Sequence, residues 1–409
     1  MDLTPSQSQA LEKLLAAIDQ GEPLVSLSGP AGTGKTTLIR ALKDALSGQE
    51  VDICTPTNKA AQVLQSKGLD ASTFFRKFYI LEGQPRPGVK PSFISCARYV
   101  EQTGAAFLPE GKKDWTDVLI IDEASMVTSR MVRSMQSMCR VLVLVGDHSQ
   151  LPPVGDREYP GGFFGTLRHT AVLTEIMRQA KGSLILTLAT AIRNGDPKVD
   201  TMLRHFEPKA DFSDVIRGGA QLIAFTNKER QRINHVARKV LGFDTPWPCP
   251  GDKLVVTNNY SDDLINGSVV EVLEFDWDRV KPHAFVKVKH PGGTTYTSLA
   301  MHPFLEDQIA SQQSLLRQAI DPKPEDDELR LEATFAYCLT AHKAQGSEWD
   351  SVGVFDQLDL MRKIMRKDPT PGLHPDEAAR RWLYTAVTRA RETLAVAPTW
   401  FASSYSQVI

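Results

Sequence analysis

The run Gly29-Pro30-Ala31-Gly32-Thr33-Gly34-Lys35-Thr36-Thr37 crowds glycines, one lysine and adjacent hydroxyls into a single turn. Glycines at this spacing let successive backbone N–H groups close around phosphate oxygens, and a following helix N-terminus adds its dipole to the attraction. In such a loop Lys35 reaches the β- and γ-phosphates of a nucleoside triphosphate and the Thr36 hydroxyl ligates Mg²⁺. A second pair, Asp122-Glu123, follows the apolar run Val118-Leu119-Ile120-Ile121. The first of these carboxylates suits the metal, and the second suits orienting and deprotonating a water. Gln150, in Gly146-Asp147-His148-Ser149-Gln150-Leu151-Pro152-Pro153-Val154, offers a neutral amide that can sense a γ-phosphate without adding charge. Two arginines far along the chain, Arg178 and Arg389, are candidates to bring a guanidinium to that phosphate from another lobe. Spacing alone leaves each of them equally consistent with a surface ion pair.

These residues can act together only if the chain brings them to one edge. Leu24–Leu27 reads as a strand entering the glycine turn, and Thr37–Leu42 as the helix leaving it. A helix over residues 3–20 precedes them, with Thr4 or Ser6 as cap. Val51–Cys54 reads as a strand ending in Thr55-Pro56-Thr57-Asn58, with a helix from Lys59; residues 118–121 and 141–145 read as strands buried on both faces. This alternation predicts an α/β fold with a parallel sheet, whose ligand sits at the carboxyl ends of the strands. Four strand ends would then deliver Lys35 with Thr36, Thr57, Asp122 with Glu123, and Asp147 to one place.

Residues 80–115 break the pattern. The stretch from Gly83 to Pro91 is too rich in Pro and Gly for a helix or a central strand, and reads as an insertion rising from the sheet or as a long loop. A second α/β pattern begins after about residue 165, with strands at Gln221–Phe225, Ala333–Leu339, Val352–Phe355 and Leu394–Val396 and helices over 227–241 and 376–391. Between them, residues 245–300 hold short strands separated by Asn-Gly and Gly-Gly turns, which predicts a small inserted β-module. Residues 321–327 read as a solvated connector.

At 409 residues the chain exceeds one ordinary core. Its 42% hydrophobic and 23% charged content is that of a globular protein, and a net charge of −2 gives no global footprint for a polyanion, so any nucleic acid must be held in a local groove. The five cysteines are scattered without zinc spacing, as suits a reducing compartment.

In their order along the chain these motifs resemble those of superfamily 1 DNA helicases, and within them the RecD-like and phage Dda-like group, superfamily 1B. The resemblance runs from Gln7 to Arg391. It implies that Gln7 reads adenine, that Gly29–Thr36 is motif I, and that Thr55–Ala61 is motif Ia, with Pro56, Thr57 and Asn58 against single-stranded DNA. It makes Asp122-Glu123 motif II, Gly146–Val154 motif III, and Leu173–Arg178 motif IV with its arginine. Leu339–Glu348 becomes motif V, with Gly346 and Glu348 at the nucleotide and Thr340, His342 and Lys343 facing DNA; Tyr384–Arg391 becomes motif VI. Thr73 and Phe74 are implied as further DNA contacts, beside Phe75 where Dda-like chains often place a histidine. The implied architecture is two RecA-like parallel-sheet lobes: residues 1–165, with a pin or wedge over about 80–115 and Phe93 as its guessed tip, and residues 166–244 with 336–409, interrupted by an SH3-like module at 245–335. The implied activity is an ATP- and Mg²⁺-dependent helicase moving 5′ to 3′ on single-stranded DNA and unwinding forked duplexes. A monomer in a bacterial or phage-infected cytoplasm is expected, with a single-strand-binding protein as a candidate partner and no membrane. The rival readings are a non-unwinding translocase or binding switch, the same ATPase acting on RNA, and a small-molecule kinase that would leave Arg389 and His342-Lys343 unused.

Overall fold

A computed structural model describes residues 3–82, 92–105, 107–175, 183–208, 211–261, 263–277, 283–301, 304, 330–355, 358–367 and 373–397. The first part of the chain supplies eight strands: β1 (Leu24–Ser28), β2 (Val51–Thr55), β3 (Ala71–Thr73), β4 (Tyr79–Glu82), β5 (Ser92–Ser95), β6 (Thr116–Ile121), β7 (Cys139–Gly146) and β8 (Ala171–Val172). Six of them form a parallel sheet in the order β3-β2-β6-β7-β1-β8. Alternation along β7 sends Val141, Val143 and Val145 to a core shared with helices Pro5–Asp19 and Lys35–Ala45, and Leu142 and Leu144 to an opposite core with Phe74, Phe78 and Met135. A strand buried on both faces needs an unbroken apolar run, which is why β6 and β7 are legible in the sequence. Thr4 caps the first helix through a reciprocal capping box with Gln7. The first sheet reaches Val172, past the boundary at 165 expected from the sequence.

The insertion appears as an antiparallel hairpin, β4 against β5 from Tyr79↔Ser95 to Glu82↔Ser92, followed by the helix Cys96–Thr103. The Pro/Gly-rich stretch 83–91, like the connector at 321–327, lies outside the described residues.

The second part of the chain holds two sheets. β9 (Gln221–Ala224), β15 (Cys338–Thr340), β16 (Trp349–Phe355) and β17 (Ala390–Ala397) form a parallel sheet in the order β15-β9-β16-β17. β10 (Lys253–Val256), β11 (Val269–Asp276), β12 (His283–His290), β13 (Gly293–Ala300) and β14 (Ala333–Phe335) form an antiparallel one in the order β13-β12-β11-β10-β14. The segment 333–339, expected as one strand, is therefore two strands in two sheets. β14 pairs with β10, whereas β15 pairs with β9. Both halves are apolar, so periodicity cannot reveal the change of sheet; Gln221 holds it by donating from Nε2 to the carbonyls of Ala336 and Tyr337 at 3.1 Å each. The helix expected over 376–391 ends at Val387, and Ala390 already begins β17, which places Arg389 in the turn between them.

The β-module is locked to the second lobe by a buried ion pair. Arg238, on the helix Asn227–Val240, meets Asp252 through Nε and Nη2 at 2.9 Å each, with exposures of 2% and 0%. The guanidinium also lies 4.2 Å from the centre of the Phe335 ring. Among the described residues no helix is long and apolar enough to cross a membrane.

Candidate active site between the two parallel sheets

The glycine turn has the conformation its residues require. Gly32 and Gly34 have φ of 81° and 80°, and a side chain on Gly29 would meet Thr33 Oγ1 at 2.8 Å and Leu173 Cβ at 3.0 Å. Gly34 opens the helix Lys35–Ala45, so the loop N–H groups and the helix N-terminus share one small volume. Lys35 Nζ is folded over the loop, donating to Gly29 O at 2.8 Å and Pro30 O at 3.0 Å. β6 ends beside it, and Glu123 is the one non-glycine residue with positive φ (58°) among the described residues. That strained turn re-aims the second carboxylate as the strand ends. Burial pushes both carboxyl groups up; the Lys35 charge opposes this at Asp122, while Asp122 adds to it at Glu123 and Arg389 opposes it.

Lys35, Thr36, Asp122, Glu123, Gln150 and Arg389 line one cleft of about 560 Å³, together with Ala31, Gly32, Gly34 and Thr37 from the loop and Gly346 and Glu348 from the second lobe. A nucleoside triphosphate with Mg²⁺ fits this set. The hydroxyl and carboxylate of Thr36 and Asp122 are hard oxygen donors, and Gln150 lines the cleft with its buried Oε1 left without a partner among the described residues.

Arg389 is not a surface ion-pair residue. It is buried and fixed by three bonds, Nε to Thr385 O at 3.0 Å, Nη1 to Ser347 O at 3.1 Å and Nη2 to Thr388 Oγ1 at 3.1 Å, none of them to a carboxylate. Its charge is thus held in place yet left for the cleft. Around it the second lobe grips the motif III loop: Tyr384 Oη donates to Asp147 Oδ2 at 2.6 Å, Leu151 N to Thr385 Oγ1 at 3.0 Å and Gln345 Nε2 to Leu151 O at 2.9 Å. Burial, then the Asp147 charge, pushes the Tyr384 phenol well up, so it stays a donor. Gly346, at φ 72°, brings motif V against motif Ia; a Cβ there would sit 3.1 Å from that of Ala60.

Other sequence-predicted residues fall in different places. Gln7 Nε2 donates to Thr33 O at 3.2 Å, behind the glycine turn, and supports the loop from there. Arg178 lies outside the described residues. Pro56, Thr57 and Asn58 stand where β2 passes into the helix Asn58–Ser66, and the Thr57 hydroxyl caps that helix. Thr73 caps the helix Phe74–Phe78. Phe74 does not face a ligand: it is 1% exposed and packs on Phe78, so the expectation that it contacts DNA is corrected. The accessible ring is Phe75, 39% exposed and 6.0 Å from Phe93, itself 42% exposed and paired with Leu81 near the loop end of the hairpin. Thr340 caps the helix Ala341–Ala344, which carries His342 and the exposed Lys343. The sequence reading missed Tyr384 and Gln345, which lie within quoted motifs but look like helix core and loop. It also missed Lys59, whose Nζ lies 4.5 Å over the Trp349 ring from across the lobe boundary.

A family profile described as an AAA domain matches residues 2–210, just over half of the chain. The chain is 28% identical to the ATP-dependent RecD2 DNA helicase of Deinococcus radiodurans, across 95% of this chain and 48% of that protein. It is 26% identical to the ATP-dependent DNA helicase dda of Enterobacteria phage T4, across 95% of this chain and 98% of that protein. It therefore spans about half the length of the first relative and nearly all of the second. The crystal structure of the Pif1 helicase from Candida albicans shares the fold with a TM-score of 0.56 at 18% identity, covering 100% of this chain and 99% of that one. With the glycine turn and its two carboxylates on the first sheet and Arg389 supplied from the second, this chain belongs to the AAA-domain family and is similar over most of its length to the RecD2 and dda helicases.

Proposed function

We propose that this chain is an ATP-dependent DNA helicase that moves 5′ to 3′ along single-stranded DNA and unwinds duplex ahead of it. The observation that carries the reading is Arg389, a buried guanidinium from the second lobe in the same cleft as Lys35 and Glu123 of the first. A cleft completed across two lobes makes their closure depend on nucleotide. Lys35 and the loop N–H groups bind the phosphates, and Glu123 orients the attacking water and takes its proton at the carboxylate. Mg²⁺, held by Thr36 and Asp122, would neutralise charge on the phosphates. Arg389 stabilises charge on the transferred phosphoryl group, and Gln150 reports its presence to the loop that Tyr384 and Gln345 grip. That loop and motif V lead to Thr57, Thr340 and Lys343, so closing and reopening the lobes shifts their grip on a strand bound mainly through phosphates.

The test compares unwinding of 5′-tailed and 3′-tailed duplexes, with Lys35→Ala as inactive control. Unwinding confined to the 5′ tail is expected. A preference for the 3′ tail would reverse the direction, and DNA-stimulated ATP hydrolysis without strand separation would leave a translocase or switch.

A further inference from the structure

The helix Asn227–Val240 buries two arginines and treats them oppositely. Arg238 has Asp252. Arg230, 7% exposed, has only a bond from Nη1 to Thr334 Oγ1 at 3.1 Å; its Nε has no partner, and no carboxylate among the described residues pairs with it. A buried charge without a counter-ion is strongly disfavoured, and the position near the helix N-terminus, the positive end of the dipole, makes a cation less favourable still. Nothing in the packing calls for a charge, since a neutral side chain can also donate to Thr334. The site is therefore suited to an anion that the described residues do not supply.

Its surroundings indicate which anion. One turn along the helix, Asn234 clamps β15, donating from Nδ2 to Cys338 O at 3.2 Å and accepting from Cys338 N at 2.8 Å. β15 runs directly into Thr340 and the short helix bearing Lys343. Lys343, three residues past the end of β15, is exposed, while the guanidinium of Arg230 is buried. Burial, and then the Arg230 charge, pushes the Lys343 ammonium down. Thr334, the bonding partner of Arg230, belongs to β14 of the β-module.

We propose that Arg230 and Lys343 form a subsite for one phosphodiester of the bound single strand of DNA, at the joint between the second lobe and the β-module. The subsite rests on the helicase reading above. A phosphate there compensates both cations at once and, through Thr334, ties the module to the lobe while the strand is held. Such a contact fixes the backbone and is indifferent to base sequence.

The test is binding of a short fluorescein-labelled oligo(dT) by the full chain across a NaCl titration, with Arg230→Met, Arg230→Gln and Arg230→Lys. Removing one phosphate contact to a single strand lowers the slope of log K against log[salt] by about 0.7. That loss is expected for Met and for Gln, which keeps a neutral donor, and Lys should restore the slope. Without DNA, the melting temperature of Arg230→Met should equal or exceed that of the parent. An unchanged slope in Met or Gln, or a normal slope with a markedly lower melting temperature, would overturn the subsite alone. A parent chain that does not bind oligo(dT) would overturn the helicase reading, and the subsite with it.

Discussion

Buried charge is balanced at the nucleotide cleft and unbalanced at the joint between the second lobe and the β-module. In the cleft, Lys35 and Arg389 face Asp122 and Glu123, and the geometry keeps the opposite charges close without pairing them off in direct salt bridges. At the joint, Arg230 and Lys343 have no carboxylate among the described residues, and across the lobe boundary Lys59 rests on the face of Trp349. The cleft can close on a ligand that brings its own cation, and the joint awaits an uncompensated anion. Arg238, on the same helix as Arg230 but fully paired, shows that the fold can place a counter-ion when the role is structural.

The comparison breaks most sharply at Arg389. Arg389→Ala should lower the DNA-stimulated turnover of ATP about a thousandfold or more, the effect of losing an arginine finger, while ATP still binds. Steady-state hydrolysis and nucleotide-binding measurements read the two separately; an unchanged turnover would return Arg389 to a structural role. Next in size, Arg238→Met should cost about 3–5 kcal/mol in denaturant unfolding, because it strands the Asp252 carboxylate. Arg230→Met should show no such loss, and similar losses in both would erase the distinction between the two arginines.

Tyr384→Phe removes the donor to Asp147 across the lobes, a change of about 1–3 kcal/mol for a buried carboxylate. We expect roughly a tenfold fall in DNA-stimulated hydrolysis, with basal hydrolysis less affected; equal falls in both would mean that the bond only holds the fold. The smallest effect concerns Lys59, whose ammonium burial pushes down from 10.5 to about 8. Below pH 8 the group is charged in both folded and unfolded chains, and the cost of burying it is fully present. Between about 8 and 10.5 the folded chain has released a proton that the unfolded chain still holds, so stability rises with pH. The melting temperature of the parent should therefore gain on that of Lys59→Met between pH 8 and 10, and a constant difference would place the ammonium in water.

Much of the nucleotide half was legible in the sequence because its signals are local. The glycine turn, the apolar runs of β6 and β7 and the acids at Asp122-Glu123 are each fixed by neighbours within a few residues, where backbone conformation and strand burial are decided. Arg389 could be proposed from the sequence, but a guanidinium in that position is also a common surface residue. Only the bonds that it donates to Thr385, Thr388 and Ser347 separate the two roles.

Tertiary structure alone decided the rest. It chose Phe75 over Phe74 for the surface, since two adjacent rings on a short helix leave on different sides and the sheet covers one of them. It divided the run at 333–339 between two sheets, and it joined Tyr384 to Asp147 across a lobe boundary. It also gave Arg238 a carboxylate that no described residue gives Arg230. Burial and ion pairing depend on which distant segments meet, and residue types along the chain do not record that.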